Sequence, residues 1–96
     1  MNINYIERCL KVIDTLSDNP AGLKLTEISG YLGLHPSSVH HMVATLLPHD
    51  YITQDPDTKK YSLGFRLLEI SRNILDNLDI RHIAQRHLLA VGRVRL

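Results

Sequence analysis

The chain has 96 residues, 44% of them hydrophobic, with no Trp and one Cys; that is enough for one small domain with an appended helix and too little for a large core. Its formal charge of +1 is not that of a non-specific nucleic-acid binder, and a lone Cys9 excludes an intrachain disulfide and fits a reduced, cytoplasmic setting. No apolar run approaches the ~20 residues of a membrane span, and no charged n-region followed by an apolar h-region opens the chain, so neither a membrane partner nor a signal peptide is expected.

The first predicted element is a helix. Ile3, Ile6, Leu10, Ile13 and Leu16 recur at spacings of three and four, widened by Cys9 and Val12, which predicts one buried face with Asn2 or Asn4 as the cap. On that face Cys9 reads as an inert, buried thiol. The run Ser17-Asp18-Asn19-Pro20-Ala21-Gly22 ends the helix with breaker residues. A second helix opens at Leu25 and Thr26, with Thr26 as the expected N-cap and Glu27 in the first turn, where the helix dipole favours an acid. Ile28 and Leu32 point to the core, Leu34 closes over the turn, and Gly33 stands where a left-handed residue must stop the helix.

Pro36 suits the first position of a third helix, because its missing N–H would be unbonded there in any case. At 100° per residue Val39, Val43 and Leu46 share one face, flanked by Met42 and Leu47. The opposite face carries Ser37, Ser38, His41, Ala44 and Thr45, with His40 on its border. A merely solvated face more often carries Glu and Lys; this one is short, polar and nearly uncharged, as a surface that meets another surface would be. After Pro48 the alternating run Tyr51-Ile52-Thr53-Gln54 predicts a strand, Asp55 to Lys60 is turn chemistry, and Tyr61-Ser62-Leu63 returns as its partner. Lys59 and Lys60 fall at or near the tip of this hairpin. Beyond Gly64, Leu67, Ile70, Ile74 and Leu78 recur at helical spacing together with Phe65, Leu68 and Leu75, more apolar surface than so small a domain can cover, which predicts pairing of two copies. Asp79 would cap one more helix with Ile80, Ile83, Ala84, His87, Leu88 and Val91 inward.

The fold class predicted is therefore mainly α with a small β-hairpin: a winged helix-turn-helix over residues 1–64, a linker and dimerisation helix over 65–78, and the start of a further domain over 79–96. That architecture sets one helix in a DNA major groove with a hairpin beside it. The candidate DNA-contacting residues are Thr26, Ser37, Ser38, His40, His41, Thr45, Lys59 and Lys60, and the candidate dimerisation residues are Leu67, Ile70, Ile74 and Leu78. Ser37 and Ser38, at the start of the third helix, suit phosphate; His40 and His41 suit base edges or phosphate; the lysines suit phosphate or the minor groove. Residues 1–64 hold five basic against seven acidic residues and residues 65–96 six arginines against three acids, so any DNA binding must use a local basic patch and two copies of the domain. The competing reading is a winged helix used for protein–protein association. The six histidines do not read as a metal site: His40 and His41 diverge by about 100°, and His82 and His87 are five apart rather than three or four. With no phosphate loop, nucleophile elbow or acid pair, neither an enzyme nor a cofactor is expected.

From residue 5 to residue 91 the chain resembles the isocitrate lyase regulator (IclR-type) family of bacterial transcription factors. The resemblance lies in ERCLKVIDTLSDNPAGLKLTEIS, LGLHPSSVHHMVATLLPHDYI, DPDTKKYSLG and FRLLEISRNIL, with LDIRHIAQRHLLAV similar to the family's connection into its second domain. It implies double-stranded DNA with an inverted-repeat operator and a homodimer as partners, and a larger C-terminal domain that takes a small-molecule effector. That domain is not in this chain, so an effector is expected only of a longer parent protein. The chain departs from the family's pattern where Ser37 and His41 stand in place of basic residues in the third helix, and where Lys59 replaces the usual Gly of the wing turn.

Overall fold

The computed structural model describes residues 3–78 and 85–86. Among the described residues the named elements follow in the order α1 (Ile3–Ser17), α2 (Leu25–Leu32), α3 (Pro36–Leu46), a 3-10 turn (Leu47–His49), β1 (Ile52–Gln54), β2 (Tyr61–Leu63) and α4 (Phe65–Asn77). The fold is a mainly helical one with a two-stranded antiparallel hairpin, as the pattern of the sequence predicts. The Asp79-capped helix, with Ile80, Ile83, Ala84, His87, Leu88 and Val91, lies outside the described residues, as do His82 and the proposed Asn2 cap. Asn4 is inside α1 and is not its cap.

The core gathers Val12 and Leu16 of α1, Leu23, Ile28 of α2, Val39, Met42, Val43 and Leu46 of α3, Ile52 of β1 and Tyr61 of β2. Three helices thus close over one face of the hairpin, and α3 contributes the face that its spacing assigns inward. The core of α1 is a correction. Val12 and Leu16 are fully buried, and Tyr5, Cys9 and Ile13 pack partly against the core, but Leu10 is 55% and Ile6 40% exposed. Apolar residues cover two adjacent stripes of this helix, about 100° apart, and the spacing alone does not say which one turns inward. The side chain of Ile3 is outside the description. Burial pushes the Cys9 thiol above its ordinary value, against a smaller opposing effect of a hydrogen bond with Tyr5, so the unreactive neutral form prevails.

The turn between α2 and α3 is tied by one residue. Gly33 takes the left-handed conformation at φ 64° and its N–H donates to the Ser29 carbonyl. The Leu34 N–H donates to that same carbonyl at 3.2 Å, and the buried Ser29 hydroxyl donates to the Leu34 carbonyl. At its start α2 is not capped by Thr26. Lys24 is the N-cap, its N–H donating to the Glu27 carboxylate at 2.9 Å, and Thr26 stands one position inside the first turn. Glu27 satisfies a backbone donor from inside the helix, and a hydroxyl cap is not needed.

The hairpin pairs Ile52 with Leu63, Thr53 with Ser62 and Gln54 with Tyr61. A third segment joins it. Leu23 and Tyr61 exchange N–H···O bonds of 2.9 and 2.7 Å, which moors the α1–α2 connection to the wing. Gly64 then lets α4 begin close beneath the 3-10 turn: the Arg66 N–H donates to the Asp50 carbonyl at 3.0 Å, and a Cβ on Gly64 would stand 2.2 Å from that oxygen.

The two stripes of α1 separate cleanly by mutation. Leu16→Ala should cost about 2–5 kcal/mol of unfolding free energy, the range for emptying a buried leucine site. Leu10→Ala should change it by less than about 1 kcal/mol. Urea unfolding followed by circular dichroism reads both, and equal losses would contradict the burial of α1 described above.

Candidate nucleic-acid interface

The sequence-predicted site residues of α3 begin at an unpredicted one. His35 is the N-cap of α3, in extended conformation, and its Nδ1 accepts the Ser37 N–H at 3.2 Å. Its carbonyl accepts the N–H groups of Ser38 and Val39 at 3.0 and 3.2 Å. Because Nδ1 acts as an acceptor, the Ser37 hydroxyl 2.8 Å away donates to it as well. The Ser37 side chain is therefore held against the cap. A histidine before Pro36 carries no obvious capping signal, since Ser, Thr, Asp and Asn are the usual caps.

Beyond that first turn Ser37, His40, His41, Ala44 and Thr45 are exposed and Ser38 is half-buried, so the polar face predicted for α3 faces outward. Helix α1 stands against it. The Tyr5 and His41 rings are tilted 59° with centroids 5.7 Å apart. The Thr45 hydroxyl donates to the His41 carbonyl at 3.0 Å, so the 2.9 Å contact between Tyr5 Oη and Thr45 Oγ1 has Tyr5 as the donor. Tyr5, Arg8, Ser37, Ser38, His41 and Met42 together line an open hollow. Neither Tyr5 nor Arg8 is a candidate from sequence, because their place beside α3 depends on how α1 packs.

The wing is built as a rigid tip. Asp55 accepts the Asp57 and Thr58 N–H groups on one carboxylate oxygen, at 2.7 and 3.1 Å, and its backbone bonds Lys59 and Lys60 across the turn. Those N–H groups, Thr58 first and Asp57 second, hold the Asp55 carboxyl below its ordinary value of 3.8. A depressed carboxyl contributes its share of turn stability at all higher pH and loses it as pH falls through the lowered value, so the tip is intact at neutral pH. The Gln54 amide donates to the Lys59 carbonyl at 3.1 Å. Lys59 itself has φ 66°, the left-handed conformation that glycine adopts freely and a branched Cβ resists.

Lys59 and Thr26 come together across a second hollow, between the start of α2 and the wing, lined also by Lys24, Leu25, Gln54, Thr58 and Tyr61. Lys24 is a further cation that sequence reasoning misses; its signal is only that it precedes an eight-residue helix. Lys60 is half-buried and is not in that hollow, and His40 is in neither. On α4, Leu67 and Ile70 are half-covered by their own domain, whereas Phe65, Leu68, Ile74 and Leu75, and Leu78 at the C-cap, are open. Among the described residues, no group of three His, Cys, Asp or Glu could hold a metal, and no helix is long and apolar enough to cross a membrane.

A helix-turn-helix with an outward polar face on its second helix, followed by a two-stranded wing, is a winged helix-turn-helix module. The chain belongs to the IclR family: the model of the IclR helix-turn-helix domain matches residues 6–56. It is 36% identical over 91 residues to the HTH-type transcriptional regulator XynR of Escherichia coli (strain K12), an alignment covering 95% of this chain and 36% of that protein. To the DNA-binding transcriptional repressor YiaJ of the same strain it is 34% identical over 85 residues, covering 88% and 30%. The solved IclR transcriptional regulator from Alicyclobacillus acidocaldarius superposes with a TM-score of 0.76 at 26% identity, over 92% of this chain and 36% of that one. The chain thus spans about a third of the length of the relatives it matches. Those relatives are regulators by name, not enzymes.

Lys59 offers a test in which stability and charge move in opposite directions. Lys59→Gly should raise the unfolding free energy by about 0.5–1 kcal/mol, since glycine removes the left-handed penalty. The same change takes one positive charge from the wing, so affinity for duplex DNA should fall. Thermal unfolding beside a binding isotherm reads both; a destabilised variant would contradict the turn geometry.

Proposed function

We propose that this chain binds double-stranded DNA sequence-specifically as a homodimer, as the cytoplasmic DNA-reading part of a transcriptional regulator. The observation that carries the reading is the outward face of α3, built from side chains short or planar enough to lie against base edges, on the second helix of a family-matched helix-turn-helix. Helix α3 enters the major groove with His40 and His41 toward base edges and Ser38 toward the backbone, and Thr45 follows one turn on from His41. The second hollow brings Thr26, Lys24 and Lys59 to the flanking phosphates, with Lys60 behind them on the wing. The names of the relatives support the same reading, one of them a DNA-binding repressor.

Two copies pair through α4, and the operator is then an inverted repeat. The open stripe of Phe65, Leu68, Leu75 and Leu78, with Ile74 beside it, favours this: no residue of α4 is buried by its own domain. Leu67 and Ile70 form the inner edge of that contact, between the wing and the partner. Control by a small-molecule effector belongs to a longer protein, whose further domain would follow α4.

Selection from a random duplex library with the purified chain at low salt should enrich an inverted repeat. Changing Lys59 and Lys60 to Ala should weaken binding to all sequences alike and lower the steepness of the salt dependence by about one to two. Retention of no duplex at any salt would overturn the reading in favour of protein–protein association.

Pairing has its own measurement. Leu68→Glu with Leu75→Glu should leave the fold intact by circular dichroism and shift sedimentation velocity from dimer to monomer. A double variant that still sediments as a dimer would remove α4 from the interface.

A further inference from the structure

Helix α3, from Pro36 to Leu46, contains no Lys and no Arg, so the helix that would enter the groove brings no permanent positive charge of its own. The structure supplies one from the neighbouring helix. Arg8 of α1 faces Ser37, Ser38 and His41 across the first hollow, is exposed, and makes no ion pair among the described residues. Its position is fixed at both sides. Tyr5, one turn before it, donates to Thr45 at 2.9 Å and lies against the His41 ring, and Val12, one turn after it, is fully buried in the core. With its helix anchored on both sides, Arg8 offers a planar, always-charged fork beside the candidate reading face.

We propose that Arg8 grips a backbone phosphate at the edge of the groove that α3 enters, so that the reading surface is a composite of α1 and α3. This rests on the DNA-binding reading above. A phosphate is favoured over a base edge because Arg8 stands on the flanking helix, beside the face of α3 and not on it, where the strand rather than the groove floor runs. In this arrangement α3 reads and α1 holds, and the charge missing from α3 is restored without a long side chain on the reading face.

The test compares the chain with Arg8→Gln and Arg8→Lys on two probes, the duplex obtained by selection and a mixed-sequence duplex of equal length, over a series of salt concentrations. Arg8→Gln should weaken both probes by the same factor, roughly five- to tenfold, and lower the salt slope by about one. Arg8→Lys should keep the slope and most of the affinity. Thermal unfolding of both variants should match the parent, because the side chain is exposed. Unchanged affinity and slope in Arg8→Gln would overturn the proposal, and so would a loss confined to the selected duplex with an altered base preference, which would make Arg8 a base reader. If the parent chain bound neither probe, the DNA-binding reading itself would fall and this assignment with it.

Discussion

The geometry of the candidate reading surface depends on the junction at Ser29, Gly33 and Leu34. Helices α2 and α3 meet through a turn too short to hold an angle by packing alone. One carbonyl, that of Ser29, receives both N–H groups that leave the turn, and the Ser29 hydroxyl returns a bond to Leu34. Gly33 makes this possible by turning left-handed at φ 64°. With the angle set there, Ile28 and Val39 are both buried in the one core, and the polar face of α3 has only one direction to face. The wing is tied to the same frame by the Leu23–Tyr61 bridge, so the two candidate contact surfaces are parts of one body.

Charge is distributed in an unusual way for a candidate groove reader. The helix with the candidate reading face carries no Lys or Arg, and the cations stand around it: Arg8 on α1, Lys24 before α2, Lys59 on the wing. If α3 is the reading helix proposed above, its lack of Lys and Arg separates two tasks that arginines on the helix would combine, namely attraction to the duplex and discrimination among bases. On the proposed reading, affinity would come from the periphery and from a second copy, and selectivity from a few short side chains. The strained Lys59 fits this division. A residue that glycine would serve better as a turn carries charge instead, in a tip already stiffened by Asp55 and Gln54.

Much of this was legible in the sequence, because it rests on local rules. Pro36, Gly33 and the Val39–Val43–Leu46 spacing locate α3 and its inward face, and the Asp55–Lys60 turn locates the wing. What escaped was whatever depends on a neighbour. The spacing in α1 allows two stripes, and only contact with α2, α3 and β2 selects Val12 and Leu16 over Leu10. Thr26 has the chemistry of a cap, but Glu27 reaches back to Lys24 and the N-cap lies two residues earlier. His35 caps without a capping residue's usual side chain. Arg8 and Lys24 enter the candidate interface because other elements come to them, and no local pattern marks them. The apolar stripe of α4 is similar: spacing finds its residues, yet Leu67 and Ile70 lean on their own domain and Leu68 and Leu75 do not.

The Tyr5–Thr45–His41 chain of hydrogen bonds has a consequence for the grammar of donors and acceptors along α3. The one proton of the Thr45 hydroxyl is engaged by the His41 carbonyl, and the Tyr5 proton is engaged by Thr45. What Thr45 still offers outward is a lone pair and a methyl group. Such a surface can take a hydrogen from the amino group of adenine or cytosine and can lie against the thymine methyl, but it has nothing to give to the oxygen and nitrogen acceptors of guanine or to a phosphate. At Thr45 the face is thus a receiver only, in a pattern that includes a tyrosine forty residues away in sequence.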